Sequence, residues 1–215
     1  MIESVHTTWF RIEEYLQTGG VVMLPLVLVS LIMWLLIMDR AIFFRRLHHR
    51  NMSFQTAWEH VRAGRMPDPK HFGGAVSLLV ARFNAARSGN AALDRFILDE
   101  TVQRINRSMD AYLSVIAVLA AVAPLLGLLG TVTGMITTFD VLAVFGTGNA
   151  RAMAGGISEA LITTQTGLLV AIPGLYMQGF LSRRARALQQ RITAVGYYLK
   201  RQLGTHMSAP ATGRI

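Results

Sequence analysis

The 215-residue chain contains no cysteine and few charged residues. Without cysteine it cannot form disulfides, thiolate metal sites or thiol redox centres. Charged residues make up 15% of the sequence, against roughly 25% in a typical soluble domain. Three runs, residues 15–38, 111–139 and 160–182, lack Asp, Glu, Lys and Arg altogether. A helix needs about 20 apolar residues to cross the hydrocarbon core, so all three runs are long enough, and the composition excludes an ordinary soluble globule.

The basic residues lie beside these runs and not within them. The chain has a net charge of +9; residues 39–110 carry +5 and residues 183–215 carry +7, while residues 1–38 and 111–182 are slightly negative. Because arginine on alternate flanks of successive spans is the positive-inside pattern, we expect an outer N-terminus and a cytoplasmic C-terminus, and no nucleic-acid partner. The arginines expected at the cytoplasmic surface, beside anionic lipids, are Arg45, Arg46, Arg183, Arg184 and Arg186.

These patterns predict an all-α membrane protein with three transmembrane helices. The predicted segments are a periplasmic amphipathic helix at 1–18, the first transmembrane helix at 19–44, a cytoplasmic helical segment at 45–110, the second transmembrane helix at 111–145, a periplasmic loop at 146–156, the third transmembrane helix at 157–182 and a basic cytoplasmic tail at 183–215.

The cytoplasmic segment contains several helix signals. We predict helices around 51–64 and 75–87 and a further helix that starts after an N-cap at Asn90. No proline or glycine then follows until Pro124, so this helix is predicted to run unbroken into the second span. The third span is predicted to continue to about Leu203, and the two extensions would form a helical stalk in the cytoplasm.

The second and third spans contain small residues at helical spacing. Gly127, Gly130 and Gly134 recur at intervals of three and four residues, which places them on one face of a helix. Small faces are where membrane helices approach closely. We therefore assign these glycines, together with Gly167 and Pro173 of the third span, to helix packing.

Both spans also contain clustered threonines. A membrane threonine often donates its hydroxyl to a carbonyl of its own helix, and for any one residue this is the default interpretation. However, seven threonines together with Gln165 on two adjacent spans indicate a polar or hydrated interior that faces other subunits or a partner. The threonines are Thr131, Thr133, Thr137, Thr138, Thr163, Thr164 and Thr166.

Residues 111–182 contain only two acids, Asp140 and Glu159. An acid in lipid costs at least ~2.5 kcal/mol, which favours an interfacial or pore-mouth position at the outer end. At helical rise, Asp140 lies ~13 Å outward of Thr131 and Glu159 ~7 Å outward of Thr164. Hydroxyls can hold water but no proton charge at neutral pH. A proton pathway here would therefore need a carrier from another chain.

At these residues the sequence resembles the proton-channel family of ExbB, TolQ and MotA, most closely ExbB-type subunits. The motifs are Gly127-Leu-Leu-Gly-Thr-Val-Thr-Gly134 and Gly155-Gly-Ile-Ser-Glu-Ala-Leu-Ile-Thr-Thr-Gln-Thr-Gly167, followed by Val170-Ala-Ile-Pro173. The resemblance is specific across roughly 111–183. MotA-type subunits have four spans, so hydropathy argues against that branch, and a TolQ-type role in envelope maintenance stays an alternative.

The resemblance implies a homopentamer in a bacterial inner membrane around an ExbD-type, single-span partner whose aspartate is the missing carrier. It implies that Thr131 and Thr164 line the pore and that Glu159 is the acid near its periplasmic end. The function implied is use of the proton-motive force to energise a TonB-type protein for transport across the outer membrane. Two residues depart from the family pattern: Thr133 stands where a tryptophan is expected, and Asp140 where an uncharged residue is expected. The latter leaves open whether Asp140 is a second acid at the mouth.

Other function classes fit the residues less well. A non-conducting scaffold would use the small faces and basic flanks only to gather partners. A small-solute transporter is disfavoured because three spans show no inverted repeat. An enzyme is least expected, since the six histidines lie outside the apolar runs and without metal-ligand or triad spacing; we expect no metal and no cofactor.

Overall fold

The computed structural model describes residues 18–48, 52–68 and 74–205, and this part of the chain is helical, without strands. The helices are α1 (Gly20–His48), α2 (Phe54–Arg62), α3 (Ala75–Ala86), α4 (Ala91–Asp110), α5 (Leu113–Phe145) and α6 (Ala150–Thr205), with a 3-10 turn at Gly146–Gly148. The all-α fold class is confirmed. The predicted N-terminal helix and the end of the basic tail lie outside the described residues.

Three of these helices, α1, α5 and α6, contain stretches long and apolar enough to cross a membrane. They correspond to the three uncharged runs of the sequence, and the protein is a multi-pass membrane protein. With 56 residues, α6 is ~84 Å long at helical rise, about twice the full thickness of a bilayer with its headgroups. The helix therefore continues well beyond the apolar stretch, as the sequence predicts.

The described helices form two compact units. The apolar unit contains α1 up to Met38 and the chain from Ser114 to Gly179; the charged unit contains the chain from Asp39 to Leu113 and α6 from Phe180 onward. Both α1 and α6 contribute to the two units. The division follows composition, since the arginine-rich flanks all fall in the charged unit.

A turn between α3 and α4 organises part of the charged unit. Asp94, 1% exposed, accepts hydrogen bonds from the Ser88 backbone N–H at 2.8 Å, the Ser88 hydroxyl at 3.0 Å and Arg87 Nε at 3.1 Å. Asn90 caps α4 by accepting from the Ala92 N–H at 3.0 Å, so the predicted N-cap is confirmed. Burial raises the pKa of the Asp94 carboxyl, but the bonds from Ser88 and Arg87 outweigh burial and hold this pKa below its ordinary value.

The predicted unbroken helix from Ala91 into the second span is wrong, because the chain breaks between α4 and α5. Tyr112 has φ +63°, a left-handed conformation that a residue with a Cβ seldom adopts. The buried Arg40 side chain packs against this break: its guanidinium lies 4.6 Å from the Tyr112 ring centroid, and Nη1 donates to the Ser108 carbonyl at 3.2 Å. The break therefore coincides with a tertiary contact, and the sequence does not predict it because no proline or glycine lies near it.

The connection between α5 and α6 is shorter than predicted. Asn149 accepts a hydrogen bond from the Ala152 N–H at 3.1 Å, which caps a helix that already begins at Ala150. Residues 150–156, predicted as part of the periplasmic loop, are thus helical, and the connection between α5 and α6 is the short stretch from Gly146 to Asn149. In the sequence, Asn149 as a possible N-cap was the signal that a helix begins at Ala150.

Replacing Asp94 by Asn is expected to lower the free energy of unfolding at pH 7 by about 1–3 kcal/mol, since buried donors lose a charged acceptor. Because the folded pKa of Asp94 is lowered, its stabilisation is present above the unfolded value of about 3.9 and is lost as the pH falls through the folded value. The difference between wild type and variant should therefore be largest at neutral pH and shrink in acid. Thermal unfolding of the detergent-purified protein, followed by circular dichroism, measures it.

The matched control is Asp99→Asn. Asp99 lies in the same helix, but its side chain is half exposed and pairs with Lys200 at the surface, so its replacement should cost at most about 1 kcal/mol. Equal destabilisation by the two substitutions at pH 7 would contradict the importance of the buried carboxylate.

Candidate functional site

The two polar membrane helices, α5 and α6, pack backbone against backbone. A Cβ added to Gly134 would lie 2.6 Å from the Gly156 carbonyl oxygen, and one added to Gly167 would lie 2.8 Å from the Ala123 carbonyl oxygen. At Gly127 the added Cβ would lie 3.1 Å from the Thr163 carbonyl oxygen. These positions can hold only glycine without moving a helix, and we call this line of contacts the glycine seam.

Helix α1 packs along α6 in the same direction. A Cβ on Gly174, the residue after Pro173, would lie 2.5 Å from Met33 Sδ, and a Cβ on Gly20 would lie 1.7 Å from Glu159 Oε1. The contacts advance together along the two helices, so α1 and α6 are parallel and α5, joined to α6 by a short turn, is antiparallel to both.

Every threonine hydroxyl of the two spans donates to a carbonyl of its own helix three or four residues back, at 2.6–3.1 Å. The default interpretation of a membrane threonine therefore holds for all seven. Thr164 also lies 3.2 Å from the Gly127 carbonyl oxygen across the seam. Since each hydroxyl hydrogen is already engaged, the oxygen lone pairs remain to accept hydrogen bonds.

Burial divides the threonines into two sets. Thr163 and Thr138 are 0% and 5% exposed, and their hydroxyls fill the notches left by Gly130 and Gly156. These two threonines pack the seam and cannot line a pore. The set that retains exposed surface consists of Thr131, Thr133, Thr137, Thr164 and Thr166.

Thr131 and Thr164, the predicted pore residues, lie beside the same part of the seam. The Cα of Thr164 is 3.2 Å from the Cβ position of Gly127, and Thr131 is one helical turn after Gly127 on the same side of α5. Both side chains are partly exposed. The structure therefore brings two hydroxyls from different helices to one edge of the hairpin.

Asp140 lies apart from this pair. It is exposed near the C-terminal end of α5, nine residues after Thr131. At about 100° per residue, nine residues correspond to two and a half turns, so Asp140 and Thr131 are on opposite faces of α5.

Glu159 also points away from Thr164. Five residues separate them on α6, which rotates their side chains about 140° apart. The half-buried Glu159 carboxylate lies against Gly20, the first residue of α1. The sequence analysis did not connect Glu159 with Gly20, and the only sequence signal was the pair of glycines directly before an apolar run.

The predicted lipid-facing arginines are solvent-exposed in the charged unit: Arg45, Arg46, Arg183, Arg184 and Arg186. The guanidinium of Arg184 lies 4.6 Å from the Phe180 ring centroid, a cation–π contact. In the part of the chain that the structure describes, no cluster of three or more His, Asp or Glu side chains could hold a metal ion. Besides Arg151 near the start of α6, the charged side chains of the described part of the apolar unit are the carboxyl groups of Asp140 and Glu159.

Comparison with known proteins agrees with this chemistry. Residues 76–194 match the model of the MotA/TolQ/ExbB proton channel family. The biopolymer transport protein ExbB of Neisseria meningitidis serogroup A is 32% identical over 196 residues, covering 84% of this chain and 89% of the relative. An ExbB-like biopolymer transport protein of Synechocystis is 34% identical over 174 residues, covering 75% and 66%. ExbB of Salmonella typhimurium is 28% identical over 179 residues, covering 76% and 72%.

The glycine seam gives a stability test. Gly134→Ala would press a methyl group against the Gly156 carbonyl and the Ala160 backbone nitrogen, which cannot move independently of α6, and should destabilise the protein by about 1–3 kcal/mol. Gly155→Ala is the matched control, because nothing lies within 4 Å of its Cβ position. Thermal stability in detergent distinguishes the two, and equal stability would contradict close α5–α6 packing.

Proposed function

Because the chain belongs to the MotA/TolQ/ExbB proton channel family and is of the ExbB type, we propose that it works in an inner-membrane complex that uses the proton-motive force to energise transport across the outer membrane. The complex would contain five copies of this chain around an ExbD-type, single-span partner and would act on a TonB-type protein. One charge that crosses 100 mV releases ~2.3 kcal/mol, which is the energy available to each step.

The observation that carries the proposal is the pair of hydroxyls on a hairpin without a mid-membrane acid. Thr131 and Thr164 lie at one edge of the glycine seam. The only titratable side chains in residues 111–139 and 160–182 are the phenols of Tyr112 and Tyr176, and neither range contains an acid, a base or a histidine. Their hydroxyl hydrogens already donate to their own helix. The oxygens are therefore placed to accept a hydrogen bond from water or from a protonated carboxyl group of the partner.

The proposed topology is supported by two features. The N-terminal ends of α1 and α6 lie on the same side of the apolar unit, so the N-terminus is proposed to be periplasmic and the C-terminus cytoplasmic. The exposed arginines after each of these helices fit the cytoplasmic side and contact with anionic lipids. The helical extensions beyond the spans would form the cytoplasmic stalk.

The two acids receive different roles. Glu159, near the outer end of α6, is proposed to belong to the periplasmic end of the proton pathway. Asp140, exposed near the C-terminal end of α5, is proposed to be a second acid at the outer mouth.

Thr164→Val keeps the side-chain shape and removes the hydroxyl, and it should lower proton flux by about tenfold, equivalent to ~1.4 kcal/mol and typical of one hydrogen bond. The measurement is dye-detected proton entry into liposomes that contain the complex purified from membranes. Thr163→Val is the matched control: it removes the adjacent hydroxyl, which is buried in the seam, and should leave the flux unchanged.

Unchanged flux for Thr164→Val at equal protein level would count against a pore role. It would favour the scaffold alternative, which also predicts that dissipating the proton gradient leaves the conformation of the partner unaltered.

The composition of the complex is tested by purifying the chain together with an adjacently encoded single-span protein. Native mass spectrometry should count five copies of this chain with the partner bound. A dimer of this chain alone would contradict the channel proposal, because two copies could not surround a partner helix.

A further inference from the structure

The carboxylate of Glu159 occupies the space that a side chain on Gly20 would fill. A Cβ built on Gly20 would lie 1.7 Å from Glu159 Oε1, 2.6 Å from Cδ and 3.3 Å from Cγ. No other described glycine has a carboxylate in this place. The contact joins the first turn of α1 to the outer part of α6, and it exists because residue 20 lacks a Cβ.

The backbone at Gly20 also favours glycine. Its φ is +63°, in the left-handed region that residues with a Cβ seldom adopt. From this residue the chain enters α1, whose first N–H groups have no partner within the helix and carry partial positive charge. A carboxylate against this end is electrostatically favoured, so both the shape and the charge of the start of α1 suit the Glu159 side chain.

We propose that Gly20 is a positioning residue for Glu159 and acts from the first turn of α1. The inference rests on the proposed function, in which Glu159 belongs to the outer end of the proton pathway. It gives α1 a role beyond crossing the membrane, which its sequence, with only Ser30 polar between Gly20 and Met38, does not suggest.

Replacement of Gly20 by Ala moves a side chain and leaves the helices in place. The clashing atoms are the flexible end of Glu159 and contain no backbone, so the carboxylate can swing away. The variant therefore separates loss of position from loss of fold, whereas Gly134→Ala meets backbone.

The first readout is proton flux into liposomes containing the purified complex. Gly20→Ala should lower it ten- to a hundredfold, the scale of an ångström-sized misplacement of a functional group. Gly146→Ala controls for backbone strain, because Gly146 has φ +59° and nothing within 4 Å; its flux should stay within about twofold of wild type.

The second readout is rescue. The distance from a Cβ at position 20 to Glu159 Oε1 would be 1.7 Å, whereas an ordinary van der Waals contact needs at least 3.4 Å. An Asp side chain is shorter than a Glu side chain by one C–C bond, about 1.5 Å. The double variant Gly20→Ala with Glu159→Asp should therefore have a flux at least threefold higher than that of Gly20→Ala alone. Glu159→Asp alone should lower the flux below that of the wild type. Absence of any recovery would overturn the positioning role, since a purely structural effect of Gly20→Ala is not relieved by shortening Glu159.

The third readout does not depend on proton transport. A hydrophobic carbodiimide modifies protonated, accessible carboxyl groups, and mass spectrometry measures its rate at Glu159 in isolated membranes. In Gly20→Ala the Glu159 carboxyl group is displaced from α1, and its labelling rate should rise severalfold. In Gly146→Ala the labelling rate of Glu159 should equal that of the wild type. Equal rates in the two variants would overturn the inference even if the flux results support the channel. Conversely, if Glu159→Ala leaves the flux unchanged, the proposed role of Glu159 is wrong. The contact between Glu159 and Gly20 is then tested by the labelling rates alone.

Discussion

The structure of the apolar unit depends on the distance between the backbones of α5 and α6. Lipid is as apolar as the side chains of the helices, so burial from water does not bring membrane helices together. Contact must come from close surfaces, and the glycine seam supplies them where Gly134 meets Gly156 and Gly127 meets Gly167. This closeness determines which threonines fill notches and which keep an exposed oxygen. The candidate pore edge at Thr131 and Thr164 is therefore a consequence of packing.

Much of the fold could be predicted from the sequence. The uncharged runs predicted the three spans, because a stretch without charged residues is recognised from composition alone and does not depend on periodicity or tertiary contacts. The N-cap at Asn90 was also visible, since a cap depends on residues within one turn. These features share a physical basis: each is set by the solvent or by neighbours a few residues away.

The remaining features depend on residues distant in sequence. The break at Tyr112 coincides with Arg40, about seventy residues earlier, and helix propensity alone predicts a continuous helix there. The site was predictable only as a set of candidates: the seven threonines look alike in sequence, and burial against Gly130 or Gly156 separates two of them from the rest. Likewise, helical rotation, and not distance along the chain, shows that Asp140 and Thr131 face opposite ways.

An odd number of parallel and antiparallel helices has an electrostatic consequence. In the apolar unit α1 and α6 begin on one side and only α5 ends there, so one helix macrodipole remains uncompensated. Its positive pole, equivalent to roughly half an elementary charge, lies at the end of the apolar unit where α1 and α6 begin. Asp140 and Glu159 lie toward the same end. Together with Arg151 at the start of α6 they carry a net charge of −1, which offsets this positive pole.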